Sequence, residues 1–505
     1  ATNNAALDLW MSGSSLPKEC DPVFSHLANK KLLTTKRVRQ RIDLALTNGN
    51  IKLAAYLAKS AHKKDVNRVN RWAKMRANPV AALKQQKKLR DNEANRNLLI
   101  YGLKRAARRA PESTYDIWQK LQQRYRFTDD QRHTIAQGIA LSAARDHLSI
   151  SHSWLQELTV HSEDSAAWRV RRALALQDWP AVLEAVMQMP DTLADDTTWI
   201  YWKARATEAT GQSKVAATIY QQIANEASYY GFLAADRLDQ SYGFTQATVP
   251  PDEAVIDLLS NDARLLRARE LYEVSLHGFA RAEWDRAIKT LDEHQKAQAS
   301  ILANRWEWHS RAISTLAKTS VSDYRLSHPT PYMDIFEQAT QASGIDRTWA
   351  YGVARTESLF MPDVRSSANA YGLMQIIPST GRLAARTAHI NYRGRSTLLH
   401  PESNIKLGTH YLGQIYTRFG HNQVLATAAY NAGPHRVSGW LPTATLPADV
   451  WVENIPFTET RRYVKRVLAA QAITHWQLTG QEQRLASMMP PILTNPGTAN
   501  RFASN

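Results

Sequence analysis

One glutamate in apolar company is the first residue in this chain that could do chemistry. It lies in ARTESLFMPDVRSSANAYGLMQIIPSTG, residues 354–381, ahead of a glycine-led turn and a second polar cluster. Trp349, Val353 and Ala354 lead into Glu357 at helical spacing, and Pro362 predicts the end of that helix. Glu357 is thereby placed at a helix C-terminus. There the negative end of the helix dipole, and desolvation by Leu359, Phe360 and Met361, would both raise a carboxyl pKa. A carboxyl that holds its proton at neutral pH is a general acid. The competing reading is an ordinary exposed glutamate at a frayed helix end, and the residues that follow decide between the two.

The elements that must position this residue belong to a long chain. At 505 residues and 44% apolar content it can bury a large core and fill more than one domain. With only 20 Gly and 20 Pro, and with frequent Ala, Leu, Gln and Arg, the composition leans toward helix throughout. No apolar run approaches the roughly 20 residues that span a bilayer, so a soluble chain is expected. The first residues, ATNNAALDLW, have neither a basic nor an apolar leader region, and the expectation is a leader already removed or a cut edge. Cys20 is the sole cysteine, so no internal disulfide can form, and it reads as a structural thiol. No His, Cys or Asp cluster has metal-ligand spacing, and neither a metal nor a cofactor is implied.

The net charge of +17 implies attraction to something anionic. Much of it falls in an early block, including Lys30, Lys31, Lys36, Arg37, Arg39, Arg41, Arg68, Lys84, Lys87, Lys88 and Arg105. The block lacks the glycine-aromatic strands or zinc-ligand spacings of a nucleic-acid reader, so nucleic acid is not the expected partner. It reads as the solvated face of amphipathic helices, with polyanion attraction as the weaker alternative.

Taken in order, residues 21–250 alternate short amphipathic helices with polar or glycine breaks, as at Gly49, Gly211 and Gln177-Asp178. Helix pairs of 30 to 40 residues are the units of alpha-solenoids, each burying its face against its neighbours. Trp168, Trp179, Trp199 and Trp202 could stack on sugars, but at helical spacing among alanines they read as packing residues. Val249-Pro250-Pro251 and the prolines of HPTPY, residues 328–332, mark boundaries. The expected organisation is a superhelical domain over 1–250, a helical linker over 251–327, a compact unit over 328–478 and a disordered tail over 479–505. Within the compact unit, YGLMQIIP reads equally as a buried strand or a helix start. The small-residue helix VLATAAYNAGPHRV ends at Asn431-Ala432-Gly433-Pro434. His400, His410, His421 and His435 sit on helices or helix ends and read as surface or capping residues.

Glu357-Ser358, then YGLMQIIP, then Ala429-Tyr430-Asn431-Ala432-Gly433-Pro434, then IPFTETR over 455–461, in this order and spacing, resemble the four motifs of soluble lytic transglycosylases. Any one of them is weak, and four in register are specific. The resemblance implies a mainly α protein: a ring-forming alpha-superhelical N-terminal domain, a helical linker, and a lysozyme-like catalytic domain shared with goose-type lysozymes. It implies a periplasmic enzyme acting on the glycan strands and muropeptides of peptidoglycan, with cell-wall synthesis or remodelling proteins as candidate partners. By position, Glu357 stands where the family has its catalytic acid/base. Ser366 matches a serine that orients the substrate N-acetyl group, Gln375 and Tyr430 match polar residues lining the cleft, and Asn431 shares the motif of Tyr430. Glu459 matches a second glutamate near bound muropeptide. Ile377 departs from the methionine frequent at that position, an apolar exchange of similar volume.

Most glycosidases use two carboxylates. Here no second acidic residue stands at a spacing that compels pairing with Glu357, and Asp363, after a proline, reads as a turn residue. One carboxylate suffices if the substrate supplies the nucleophile. The resemblance implies that Glu357 protonates the bond between N-acetylmuramic acid and N-acetylglucosamine, then deprotonates the muramic C6 hydroxyl to give a 1,6-anhydro sugar. Tyr430 and Ser366 would then hydrogen-bond the N-acetyl oxygen. Two other readings stay open: a hydrolytic muramidase on the same fold, and a non-catalytic helical scaffold that binds anionic polymers.

Overall fold

A computed structural model of the chain describes residues 2–59, 61–85, 89–244 and 248–494. Among these residues regular structure is helical, and β pairing is limited to three isolated bridges. Two compact units emerge, Ala1–Arg172 and Ala173–Asn505. The division falls well before the Val249-Pro250-Pro251 break expected from sequence.

In the first unit the expected helix pairs form. Thr35–Thr47 and Ile51–Ala58 are joined at Gly49, whose φ of +69° reverses the chain. Thr34 and Asn50 cap the two helices by accepting from the backbone N–H groups of Arg37 and Leu53. Ile42, Leu46 and Ala54 of this pair are buried in one core with Leu99 and Leu103 of the helix Glu93–Ala107. Most of the basic block lies on exposed faces, as expected. Arg41 is the exception: it is buried, its guanidinium lies 4.6 Å from the centre of the Trp10 ring, and its Nε donates to the Ser12 carbonyl at 3.2 Å. Desolvation accordingly lowers its pKa. Lys87 and Lys88 lie outside the described residues.

The second unit begins with more helix pairs, such as Thr197–Ala209 and Ser213–Gln221 about Gly211. Trp199 and Trp202 are buried here as packing residues, while Trp179 is half-buried beneath the Arg205 guanidinium. Five helices follow between Glu253 and Leu316. They close over Trp284, which is fully buried and whose indole N–H donates to Thr315 Oγ1 at 3.0 Å. The helices of the 328–478 region then surround Leu373, Ile405, Leu412, Val464 and Leu468, all without exposed surface. Its strongest packing is between the helix that bears Glu357, Arg347–Ser358, and the closing helix Thr458–Thr479. Gly352 makes that approach possible: a Cβ there would lie 2.7 Å from the Val467 carbonyl oxygen.

The unit extends further than the sequence suggested. Residues 481–494, expected to be disordered, carry a short helix, Leu485–Met488, and a bridge between Leu446 and Ile492. Leu485 and Ile492 are fully buried, and Asp236 Oδ2 accepts from the Ala486 N–H at 2.9 Å. Four apolar side chains spread among Gln, Pro and Ser do not form a recognisable period, yet Leu485, Met488, Met489 and Ile492 are all buried. Residues 495–505 lie outside the described residues. Truncation after Gly480 is expected to cost about 3 kcal/mol or more, from loss of two fully buried aliphatic side chains alone. Denaturant unfolding with unchanged midpoint and slope would show the segment to be dispensable.

Candidate active site

Glu357 is the penultimate residue of Arg347–Ser358. Asp346 starts this helix by accepting from the Trp349 N–H, and Trp349 fixes its depth by donating to Thr427 Oγ1 at 3.0 Å. The helix stops before Pro362. Leu359 and Phe360 take left-handed φ values of +52° and +63°, and the Leu359 N–H closes on the Arg355 carbonyl. Two successive bulky residues in this region cost on the order of 1–3 kcal/mol each. Burial of the Phe360 ring, with Tyr351 6.0 Å away, helps hold the turn.

Hydrogen bonds join the four motifs to one another. Ser358 Oγ donates to the Leu373 carbonyl at 2.7 Å, tying the end of the Glu357 helix to the YGLM turn. Tyr430 donates to the Met374 carbonyl at 2.8 Å, which brings the third motif onto the second. Thr460, beside Glu459 at the start of the closing helix, donates to Asn431 Oδ1 at 2.7 Å. The YGLMQIIP segment is no strand, and only its last residue starts a helix, Pro378–Thr387. Residues 371–376 form a tight turn with single bridges from Tyr371 to Arg365 and Ile376. Gly372 permits it, since a Cβ would lie 2.2 Å from the Leu398 carbonyl oxygen. Asn404, fully buried, holds it by accepting from the Met374 N–H and donating to the carbonyls of Tyr371 and Leu398.

Glu357 as a residue is half-buried. Burial is the largest influence on it and, with the negative charge of Glu459 adding to the effect, pushes its pKa up from 4.5 to about 7. The Tyr463 hydroxyl opposes the rise by favouring the ionised form. Tyr463 sits one helical turn after Glu459; its hydroxyl is buried and closes no hydrogen bond of good geometry. The phenols of Tyr430 and Tyr463 are held well above their usual range by burial, so both remain protonated.

The sequence-predicted residues thus fall into distinct situations. Glu459 is exposed and acts on Glu357 through charge. Ser366 is half-buried and accepts from the Ala370 N–H at 3.0 Å, leaving its own hydroxyl proton to give. Gln375, at φ +47°, spends its amide N–H groups on the carbonyls of Gly372 and Val364. The Tyr430 proton is committed to Met374, so toward a ligand this hydroxyl can only accept. Ile377 is exposed beside them. Other acids of the region have basic partners: Asp363 with Arg281, Glu453 with Lys465, and Glu402 with Lys406. Asn404 and Tyr463 escaped the sequence reading, although Tyr463 lies four residues beyond Glu459, the spacing that places both on one helix face. Ser358 stands in the sequence only as a member of the first motif, without its bond to Leu373. Among the described residues no group of three or more His, Cys, Asp or Glu could hold a metal ion, and no helix is long and apolar enough to cross a membrane.

Residues 334–447 match the family model of the transglycosylase SLT domain, and residues 258–324 match that of the soluble lytic murein transglycosylase L domain. The chain is 29% identical to the soluble lytic murein transglycosylase of Salmonella typhimurium, across 95% of this chain and 75% of that protein. The Escherichia coli K12 protein of the same name is also 29% identical, across 92% and 73%. Among solved structures, an inactive mutant of the lytic transglycosylase Slt from Pseudomonas aeruginosa superposes with a TM-score of 0.86 at 31% identity, covering 96% of this chain and 79% of that one. A complex of the 70-kDa soluble lytic transglycosylase with bulgecin A superposes with a TM-score of 0.83 at 28% identity, covering 95% and 79%. Sequence, fold and the four joined motifs agree that the chain belongs to the soluble lytic transglycosylase family.

Proposed function

We propose that the protein cleaves the β1,4 bond between N-acetylmuramic acid and N-acetylglucosamine in peptidoglycan without consuming water, leaving 1,6-anhydro-muramic ends, as a periplasmic enzyme of cell-wall turnover. The observation that carries this reading is the Glu357 carboxyl: raised to about 7 where the four motifs meet, it is poised both to give and to take a proton near neutrality. Protonated Glu357 gives its proton to the glycosidic oxygen as the bond to muramic C1 breaks and its electron pair leaves with that oxygen. The muramic N-acetyl carbonyl oxygen bonds C1 in its place, with Ser366 Oγ as the donor suited to orient it. Ionised Glu357 then takes the C6 hydroxyl proton while O6 attacks C1 and releases the acetyl oxygen. Tyr430 would accept from the N-acetyl N–H, and Glu459, Gln375 and Asn431 would line the cleft. The basic surface suits a substrate whose lactyl and stem-peptide groups carry carboxylates. The family-model matches over 258–324 and 334–447 support a linker over 251–327 and a catalytic domain over 328–478, preceded by a superhelical domain over 1–250.

Mass spectrometry of purified peptidoglycan digested by the wild type and by Glu357→Gln tests the reaction. Anhydro ends that disappear with the variant are expected. Reducing ends would identify a hydrolytic muramidase, and equal products from both proteins would remove Glu357 from the mechanism.

The proton balance gives two further expectations. Because the protonated acid starts the reaction, activity should fall as pH rises through about 7. Tyr463→Phe removes a group that favours ionised Glu357 and should move that fall to higher pH, whereas Glu459→Gln should move it lower. Opposite or absent shifts in the pH–rate profile would contradict the assignment.

Stability follows the same proton. A folded pKa raised above the unfolded value contributes stability that is complete below about pH 4.5 and lost as pH rises through about 7. Glu357→Gln carries no such dependence, so its stability relative to the wild type should improve by roughly 3 kcal/mol between pH 4 and pH 8. A constant difference in chemical denaturation across that range would show that Glu357 is not desolvated.

A further inference from the structure

The segment that leads from Glu357 to Ser366 is held from outside the catalytic region. Arg281, on the linker helix His277–Ile288, directs Nη1 at both carboxylate oxygens of Asp363, at 3.1 and 2.9 Å. Both side chains are about three-quarters shielded, at 27% and 24% exposure, so this is not a fully solvated pair that salt would erase. The neighbouring acid on the same helix, Asp285, is engaged by Arg311 and Lys318.

Asp363 occupies a sensitive place. It follows Leu359 and Phe360, the two left-handed residues that would relax if the turn were released. It precedes Val364, whose carbonyl accepts from the Gly372 N–H at 3.0 Å and from Gln375 Nε2 at 3.3 Å. Ser366 comes two residues later. A displacement of Asp363 would therefore reach the glutamine of the cleft through the adjacent Val364 carbonyl and the serine three residues on, while Glu357 stays on its own helix, fixed by Gly352 and Trp349.

We propose that Arg281 is a positioning residue for the reaction: through its ion pair with Asp363, the linker region holds the strained 359–366 segment in the conformation that aims Ser366 and Gln375 at the reacting sugar. The proposal rests on the reading of Glu357 as acid and base given above. It assigns the linker a part in turnover beyond support. Because Ser366 serves the transition state, the consequence should fall on kcat more than on KM.

The test uses the full chain and purified peptidoglycan, with Arg281→Ala, Asp363→Asn and the exchanged pair R281D with D363R. Each single variant is expected to lower kcat about tenfold, with KM changed less than twofold. The fall of activity near pH 7 should stay in place, because Glu357 itself has not moved. The exchanged pair should recover most of the lost rate. Two single variants at wild-type kcat would overturn the proposal, as would a loss matched by a drop in melting temperature and not recovered by the exchange. Glu357→Gln in the same assay separates the two readings. If it turns over normally the acid/base assignment fails, whereas an inactive Glu357→Gln beside a fully active Arg281→Ala defeats only the role of Arg281.

Discussion

The close approach of two backbones at Gly352 is the constraint on which the catalytic region depends. With the Val467 carbonyl 2.7 Å from where a Cβ would stand, the Glu357 helix lies against the closing helix without an intervening side-chain layer. That depth desolvates the carboxyl and also brings Glu459 and Tyr463, both on the closing helix, within electrostatic reach of it. Any larger residue at 352 would push the helices apart and weaken all three effects together. The raised pKa is thus a property of helix packing, and the identity of the glutamate alone does not determine it.

Holding the closing helix at that depth requires support on its other side. Glu453, fully buried just before the helix, accepts from Tyr230 and Lys465. Asp449, also buried, accepts from Tyr201 at 2.8 Å and Arg205 at 3.4 Å. Buried carboxylates are costly unless fully engaged, and removing a single partner from such a pair is strongly destabilising. These bonds join the helices Thr197–Ala209 and Tyr229–Leu238 to the catalytic helices. This explains why the compact unit begins at Ala173, whereas the sequence placed the break at a proline pair. Proline reports local chain direction, and the unit boundary is set by contacts made more than two hundred residues away.

The same distinction separates what the sequence reveals from what it conceals. Helix identity, the glycine turns and the position of Glu357 are local properties and can be read from spacing and composition. The motif residues are recognisable as a set, but their bonding is not. Nothing in the residue type of Tyr430 says that its proton goes to Met374, or that Gln375 spends its amide on its own turn. Asn404 looks like an ordinary polar position on a helix and Ser358 only like the neighbour of Glu357 in its motif, and the fold makes them the fasteners of the YGLM turn. Arg41 and the 481–494 segment were misjudged for a related reason. Composition assigns a cation to solvent and a Pro- and Gln-rich end to disorder, and burial against Trp10 in one case, and burial with bonds to Asp236 and Tyr242 in the other, override both.

One carboxyl that must act twice imposes opposite demands on its surroundings. Donation to the glycosidic oxygen calls for a high pKa, and abstraction from a sugar hydroxyl calls for a base that is not already spent, so the useful value lies near the working pH. Burial alone would overshoot, since an isolated desolvated carboxyl can rise by several units. Glu459 adds to the rise and Tyr463 subtracts from it, and the two sit one turn apart on the same helix. Because both lie on one face of that helix, a small rotation would withdraw the two influences together. The interactions that fix its rotation, Thr460 to Asn431 at its start and Lys465 to Glu453 one turn on, belong to the acid–base chemistry as much as to the fold.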